Sequence, residues 1–270
     1  MDDVILLAAG LVVGAVGTLV GAGGGFLLVP VLLFLYPHDP PNVITSTGLA
    51  VVFVNSVSGS VAYAYQRRID YRSGTVLALA TVPGSVVGAL LTHQIPRGPF
   101  TLIFSGVLVG MALLLFRRPV ARERPSGDVS SARRRVLVDR SGQIYVYSLP
   151  LGRAVPISAA IGLLSSLLGI GGGFIQVPVF ILVFGFPTYV ATATSQFMLA
   201  VMSLSGTLTH VAAGDVGDAA RRAAILAPGV IVGAQFGAWL SRRMRPAAIA
   251  RLLAVLMVLV AARMLLGQVL

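Results

Sequence analysis

Two glycine clusters are the residues of this chain whose spacing most plainly invites chemistry. GTLVGAGGGFLLVPVLLF runs from Gly17 to Phe34, and SSLLGIGGGFIQVPVFIL runs from Ser165 to Leu182. Gly21, Gly23, Gly24, Gly25, Phe26 and Pro30 in the first match Gly169, Gly171, Gly172, Gly173, Phe174 and Pro178 in the second. Each cluster interrupts an apolar run over 30 residues long, and each is followed by a proline. A run of that length as one straight helix would overshoot a bilayer, and glycine and proline both disfavour its continuation. A helix broken there exposes backbone N–H groups and presents the positive end of a new helix dipole, which suits an anion. Close helix packing through small residues is the competing reading. A dinucleotide fingerprint is excluded, because Phe26 stands where a third glycine belongs and no acidic residue follows at the required distance.

A second set is rich in hydroxyls and amides. VITSTG at Val43–Gly48 matches VATATS at Val190–Ser195, and Gln196 follows. Thr47, Asn55, Thr194, Ser195, Gln196 and Gln176 could offer neutral donors to a ligand. Ser and Thr also satisfy their own helix carbonyls, and that reading stays open for most of them. Leu28 stands opposite Gln176, and Gly48 and Leu49 stand opposite Ser195 and Gln196, so a site built from both halves would be lopsided. Other chemistry is thinly provided. The chain has no Cys and no Lys, which removes thiolate, Schiff-base and Walker-type lysine chemistry. His38, His93 and His210 lie far apart in sequence and suggest no metal site; the interfacial reading of His210 outweighs a role as proton acceptor. All nine acids fall in loops or at the N-terminus, so a cation would find little to bind inside the apolar runs. The residues call for no cofactor and no catalytic group.

The elements that must position these residues are apolar blocks near 4–36, 43–65, 74–92, 99–116, 154–186, 190–213, 220–241 and 247–268. With 56% apolar and 11% charged residues and a mean hydropathy of +0.91, the chain reads as an all-α polytopic membrane protein. Its net charge of +11 then belongs to loops facing the cytoplasm rather than to a nucleic-acid surface. Residues 1–116 form one transmembrane repeat and 154–270 a second, each of about four spans with a glycine-broken helix. Between them, 117–153 is an arginine-rich linker holding nine of the 20 arginines. RVLVDRSGQIYVYSLP alternates around Asp139–Gly142 and predicts a small β-hairpin, while 117–132 reads equally as a charged linker. Equivalent loops carry opposite arginine bias, three in QRRIDYRSG against two in AAGDVGDAARRA and one in HQIPRG against three in SRRMRP. That favours inverted repeats over parallel ones, with the linker cytoplasmic in both.

The paired GxGGGxxxxP breaks, the T-x-T segments that follow, the Pro-Gly-xxx-Gly-Ala at Pro83–Ala89 and Pro228–Ala234, and the basic central loop resemble the sulfite exporter TauE/SafE family along nearly the whole chain. The resemblance implies a permease for sulfite or related sulfur-containing anions, such as sulfonates and sulfoacetate, in the cytoplasmic membrane. It does not fix the anion. The partners expected are a small anionic substrate and the lipid bilayer, with a homodimer one assembly open to the chain and no nucleic acid. An anion channel remains the alternative, and an intramembrane enzyme a more remote one. The expected site lies between the two breaks: backbone amides at Gly23–Gly25 and Gly171–Gly173, with Thr47, Asn55, Gln176, Thr194, Ser195 and Gln196 around them. On this reading leucine at Gly24 or Gly172 abolishes transport and leaves the fold intact.

Overall fold

The structure is a computed structural model that describes residues 2–117 and 134–269. Both apolar runs over 30 residues are broken at their glycines. The first gives α1 (Asp2–Leu19) and α2 (Gly25–Leu35), the second α6 (Leu151–Leu167) and α7 (Gly173–Leu182). Gly24 and Gly172 stand at the starts of α2 and α7 with φ of 80° and 78°, a left-handed backbone that favours glycine. Each short helix leads into a 25-residue helix, α3 (Pro41–Tyr65) or α8 (Thr188–Ala212). Then follow α4 (Tyr71–Leu91) and α5 (Arg97–Arg117) in the first half, α9 (Gly217–Ser241) and α10 (Pro246–Val269) in the second. Each half therefore carries five helices. Among the described residues, α3, α4 with the short 3-10 turn Thr92–Gln94, α5, α9 and α10 are long and apolar enough to cross a membrane. Large apolar side chains face outward from them, including Leu79, Leu102, Val232 and Leu259, each more than half exposed. A chain with such a surface needs a lipid solvent.

The halves interlock. α1 packs along α9, and α6 along α4, through glycines set four apart. Gly10, Gly14, Gly229, Gly233 and Gly237 line the first contact; Gly84, Gly88 and Gly162 line the second. At each of these glycines a β-carbon would collide with a carbonyl oxygen of the facing helix, so the small-residue packing seen in membrane helices operates here. α3 and α8 cross at the centre in opposite directions. Thr45, near the start of α3, meets His210 near the end of α8, whereas Ser56 meets Gln196 near the start of α8.

The expected hairpin is present as β1 (Arg134–Val138) paired antiparallel with β2 (Ile144–Ser148). Asp139 builds its turn, accepting from the Ser141 amide (2.8 Å), the Ser141 hydroxyl (2.6 Å) and the Gln143 amide (3.1 Å). Burial pushes the Asp139 carboxyl up, but these bonds and Arg68 hold it below the usual carboxylate range. The hairpin is docked, not dangling. Arg68 reaches Asp139 at 3.3 Å, the Arg140 amide donates to the Gln66 carbonyl, and the Tyr147 hydroxyl donates to Asp70 at 2.7 Å. It sits where α3 ends and α4 and α8 begin. The linker reading for 117–132 lies outside the described residues, apart from Arg117 at the end of α5.

Gly88→Ala is expected to destabilise the protein by roughly 1–3 kcal/mol, because the added methyl meets the Leu163 carbonyl. Gly110→Ala, on α5 with nothing within 4 Å, should be neutral or stabilising by up to about 1 kcal/mol. Thermal unfolding of both variants in detergent checks the contrast.

Candidate functional site

The two glycine breaks meet. A β-carbon on Gly25 would lie 2.7 Å from the Ile170 backbone, and one on Gly173 would lie 2.5 Å from the Ala22 Cα. Gly21 packs in the same way on Thr192, and Gly169 on Thr45. The Phe26 and Phe174 rings stack 6.3 Å apart across the junction. Two short helices thus begin side by side in the buried centre, α2 at Gly25 and α7 at Gly173. Neither has a capping side chain, and the amides of Gly25, Phe26, Gly173 and Phe174 have no partner within their own helices. The Gly23 amide is different: it is already bonded to the Gly17 carbonyl at 3.1 Å. Val52 and Leu199, one from each long helix, press their side chains against Gly23, Gly171 and Gly173.

Around this junction lies a polar network. Ser56 donates to the Gln196 carbonyl oxygen (3.3 Å), the Gln196 amide to the Thr18 hydroxyl (3.0 Å), and Thr18 to the Asn55 carbonyl oxygen (2.9 Å). Ser195 lies 3.0 Å from both the Gly21 carbonyl and the Gln176 side-chain oxygen, and its single proton serves one at a time. These residues are fully buried, and the network ends on groups with no partner. The Asn55 and Gln176 amide nitrogens and the Ser165 and Ser166 hydroxyls make no hydrogen bond. All four groups can donate. A buried polar group left unmade costs about 1–3 kcal/mol, and native structures carry few of them, so four near one junction call for an explanation.

The structure therefore gathers Asn55, Gln176, Ser195 and Gln196 beside the breaks and sends Thr47 and Thr194 elsewhere. Thr47 returns its hydroxyl to the Val43 carbonyl of its own helix at 2.9 Å. Thr194 accepts from the Asp70 amide at 3.1 Å, toward the hairpin. Thr18, Ser165 and Ser166 were not singled out by the sequence reading, although Thr18 and Ser166 occupy equivalent places three residues before each break. That symmetry was the available signal. A leucine at Gly24 or Gly172 will not leave the fold intact: a β-carbon would strike Val13 in the first case and Ser165 in the second, on a left-handed backbone.

The two ends of the bundle differ. On the hairpin side, a cavity of about 370 Å³ is lined by Gln66, Arg68, Asp139, Arg140, Ser141 and Arg242, three arginines against one acid. At the other end, His93 and His210 both reach one oxygen of Asp215, at 2.8 and 2.7 Å. Two of the three histidines that look scattered in sequence, His93 and His210, converge here, and His210 is fully buried within the protein. Burial pushes the Asp215 carboxyl up, but the bonds from His210 and Asn42 and the neighbouring imidazoles hold it below the usual carboxylate range.

Comparison with known proteins points to a family of membrane transporters. The profile of the family described as Sulfite exporter TauE/SafE matches residues 6–264. The probable membrane transporter protein YunE of Bacillus subtilis is 32% identical over 271 residues, covering 98% of both chains. A probable membrane transporter protein of Methanocaldococcus jannaschii is 25% identical over 218 residues, covering 79% of this chain and 74% of its own. One from Xylella fastidiosa is 27% identical over 207 residues, covering 77% and 73%. No solved structure matches the chain.

Proposed function

We propose, from the premise that this chain belongs to the sulfite exporter TauE/SafE family, that it is a secondary transporter of small sulfur-containing oxyanions such as sulfite or an organic sulfonate. The observation that carries the reading is the set of unpartnered buried donors around the paired glycine breaks. Asn55, Gln176, Ser165 and Ser166 offer N–H or O–H groups, and the starts of α2 and α7 add backbone amides and two positive dipole ends. An oxyanion offers acceptors, which is the complement of such donors. Each charge-assisted bond contributes about 1.5–3 kcal/mol, and several are needed to hold a charge away from water. A metal cation would meet the wrong ends of these dipoles.

Several further features support the reading. Val52 and Leu199 fill the space against the breaks, which favours a carrier with an occluded centre over an open anion channel. The arginine-lined cavity beside the hairpin would draw anions toward one end. The hairpin and the arginines of the α3–α4 and α9–α10 loops share that end, and positive-inside counting assigns it to the cytoplasm of an inner membrane. The opposed directions of α3 and α8 support repeats inverted in the bilayer, which lets each break face one side in turn. A homodimer remains compatible with the exposed apolar faces of α5 and α10.

Purified protein in liposomes is expected to exchange at least one of sulfite, thiosulfate, sulfate and sulfoacetate by saturable counterflow. Flux that rises linearly with concentration, without counterflow, would favour the channel. Gln176→Leu places at position 176 the residue found at Leu28. It should leave thermal stability within about 1 kcal/mol, because the amide nitrogen is unpaired and Ser195 keeps the Gly21 carbonyl as its acceptor, while weakening the apparent anion affinity about tenfold. Wild-type affinity in a folded variant would remove Gln176 from the site. A cysteine at the exposed Gln143 should react with an impermeant maleimide only from the cytoplasmic face; labelling from outside intact cells reverses the orientation.

A further inference from the structure

The His93–Asp215–His210 cluster is not used by the anion site, and it is built to accommodate one more proton. The Thr45 hydroxyl lies 3.1 Å from the Asn42 carbonyl and 3.4 Å from His210 Nε2, and its one proton can turn to either. His210 Nδ1 lies 2.7 Å from Asp215 Oδ2, a contact between two acceptors unless the nitrogen carries hydrogen. The neutral ring can donate from Nδ1 to Asp215 and accept at Nε2 from Thr45, and the imidazolium donates from both nitrogens with Thr45 turned to the Asn42 carbonyl, so the cluster has a bonded arrangement with and without the extra proton. His93 Nε2 approaches the same carboxylate oxygen at 2.8 Å. Asn42 donates to the other oxygen at 2.6 Å, and the Ser46 hydroxyl donates to the Asp215 carbonyl at 3.1 Å. A buried imidazolium against a buried carboxylate leaves the cluster neutral, whereas neutral imidazoles leave a buried negative charge.

The position of the cluster ties it to the glycine breaks. Thr45, which holds the far nitrogen of His210, is also the residue against which Gly169 packs, with 2.5 Å between its Cα and a β-carbon built on that glycine. Asn42, Thr45, Ser46 and His93 come from the first half, and His210 and Asp215 from the second. His93 is about a third exposed and gives water access to the otherwise buried pair. The equivalent place at the opposite end holds Tyr63 where His210 stands here, and its hydroxyl donates to the Thr18 carbonyl at 2.8 Å. A phenol keeps its proton at neutral pH, so the Tyr63 position cannot exchange one as His210 can.

Resting on the transporter reading above, we infer that the His93–Asp215–His210 cluster binds a proton whose occupancy is coupled to movement of the anion. The proton adds to an imidazole nitrogen of the pair and leaves by way of His93; no other bond forms or breaks. Facing the cluster are Asn42, Thr45 and Ser46 from α3, His93 from the end of α4, and His210 from α8. Other ionisable groups at this end are His38, Asp218, Arg221, the Asp39–Arg222 ion pair, and Arg97, which donates to the carbonyls of Leu33, Tyr36, Pro37 and Asp39. Among the described residues none of these is hydrogen-bonded to the cluster.

The test uses thiosulfate, whose charge does not change near neutral pH, in proteoliposomes with the membrane potential clamped by potassium and valinomycin. An imposed pH gradient should drive net thiosulfate flux in the wild type. In His210→Gln and in Asp215→Asn the ratio of gradient-driven to exchange flux should fall about tenfold or more. Exchange in the wild type without any response to the gradient overturns the coupling and leaves the transporter reading standing. Absence of exchange for every anion tried defeats the transporter reading and the coupling with it. Independently of flux, nitrogen-labelled His210 should take up a proton on acidification, and Asp215→Asn should shift that titration. A His210 ring that stays neutral down to the pH at which the protein unfolds, or one-to-one zinc binding lost in both variants, overturns the inference.

Discussion

Two stretches of glycine backbone lie against each other at the centre of this bundle, and the rest of the molecule depends on that contact. Neither Gly25 nor Gly173 leaves room for a β-carbon. The contact fixes the starts of α2 and α7 side by side and brings α3 and α8 past each other in opposite directions. It also explains the outer packing. Once the breaks are shared, α1 and α6 must each lie on a helix of the other half, and glycines set four apart on α4 and α9 allow them to do so. The halves cannot be separated without unmaking the centre.

The energetic character of the centre follows from what surrounds it. Two helix starts without caps and four buried donors without partners would each cost about 1–3 kcal/mol in a closed protein. Their sum is comparable with the entire stability of an ordinary domain. A fold that only needed to be stable would fill these places with apolar side chains, as the first half does with Leu28 where the second has Gln176. Retaining uncompensated donors is consistent with a ligand that arrives carrying acceptors and leaves again. Tight satisfaction by the protein itself would hold no anion, and an apolar centre would admit none.

Much of this was legible in the sequence because glycine and proline speak about the backbone directly. The breaks, the twofold repeat, the hairpin around Asp139–Gly142 and the polar residues Asn55, Gln176, Ser195 and Gln196 could all be read from residue type and spacing. Side-chain direction could not. Thr47 and Thr194 match in sequence, yet one hydroxyl returns to its own helix and the other accepts from Asp70. The His93–Asp215–His210 cluster was invisible for a different reason. His210 and Asp215 sit together where α8 ends, but His93 comes from the other half, and only the interlocking of the halves brings it to them. Asp215 looked like a loop acid and His210 like an interfacial ring, because sequence does not say which loops the fold buries.

The most direct measurement is a glycine-selective nitrogen NMR titration of the detergent-solubilised protein with sulfite and thiosulfate. If the paired helix starts hold the anion, the amide resonances of Gly25 and Gly173 move together and saturate at one equivalent, while Gly110 on the peripheral α5 stays in place. If Gly25 and Gly173 stay fixed for an anion that the same protein transports, the anion binds elsewhere and the paired breaks serve packing alone.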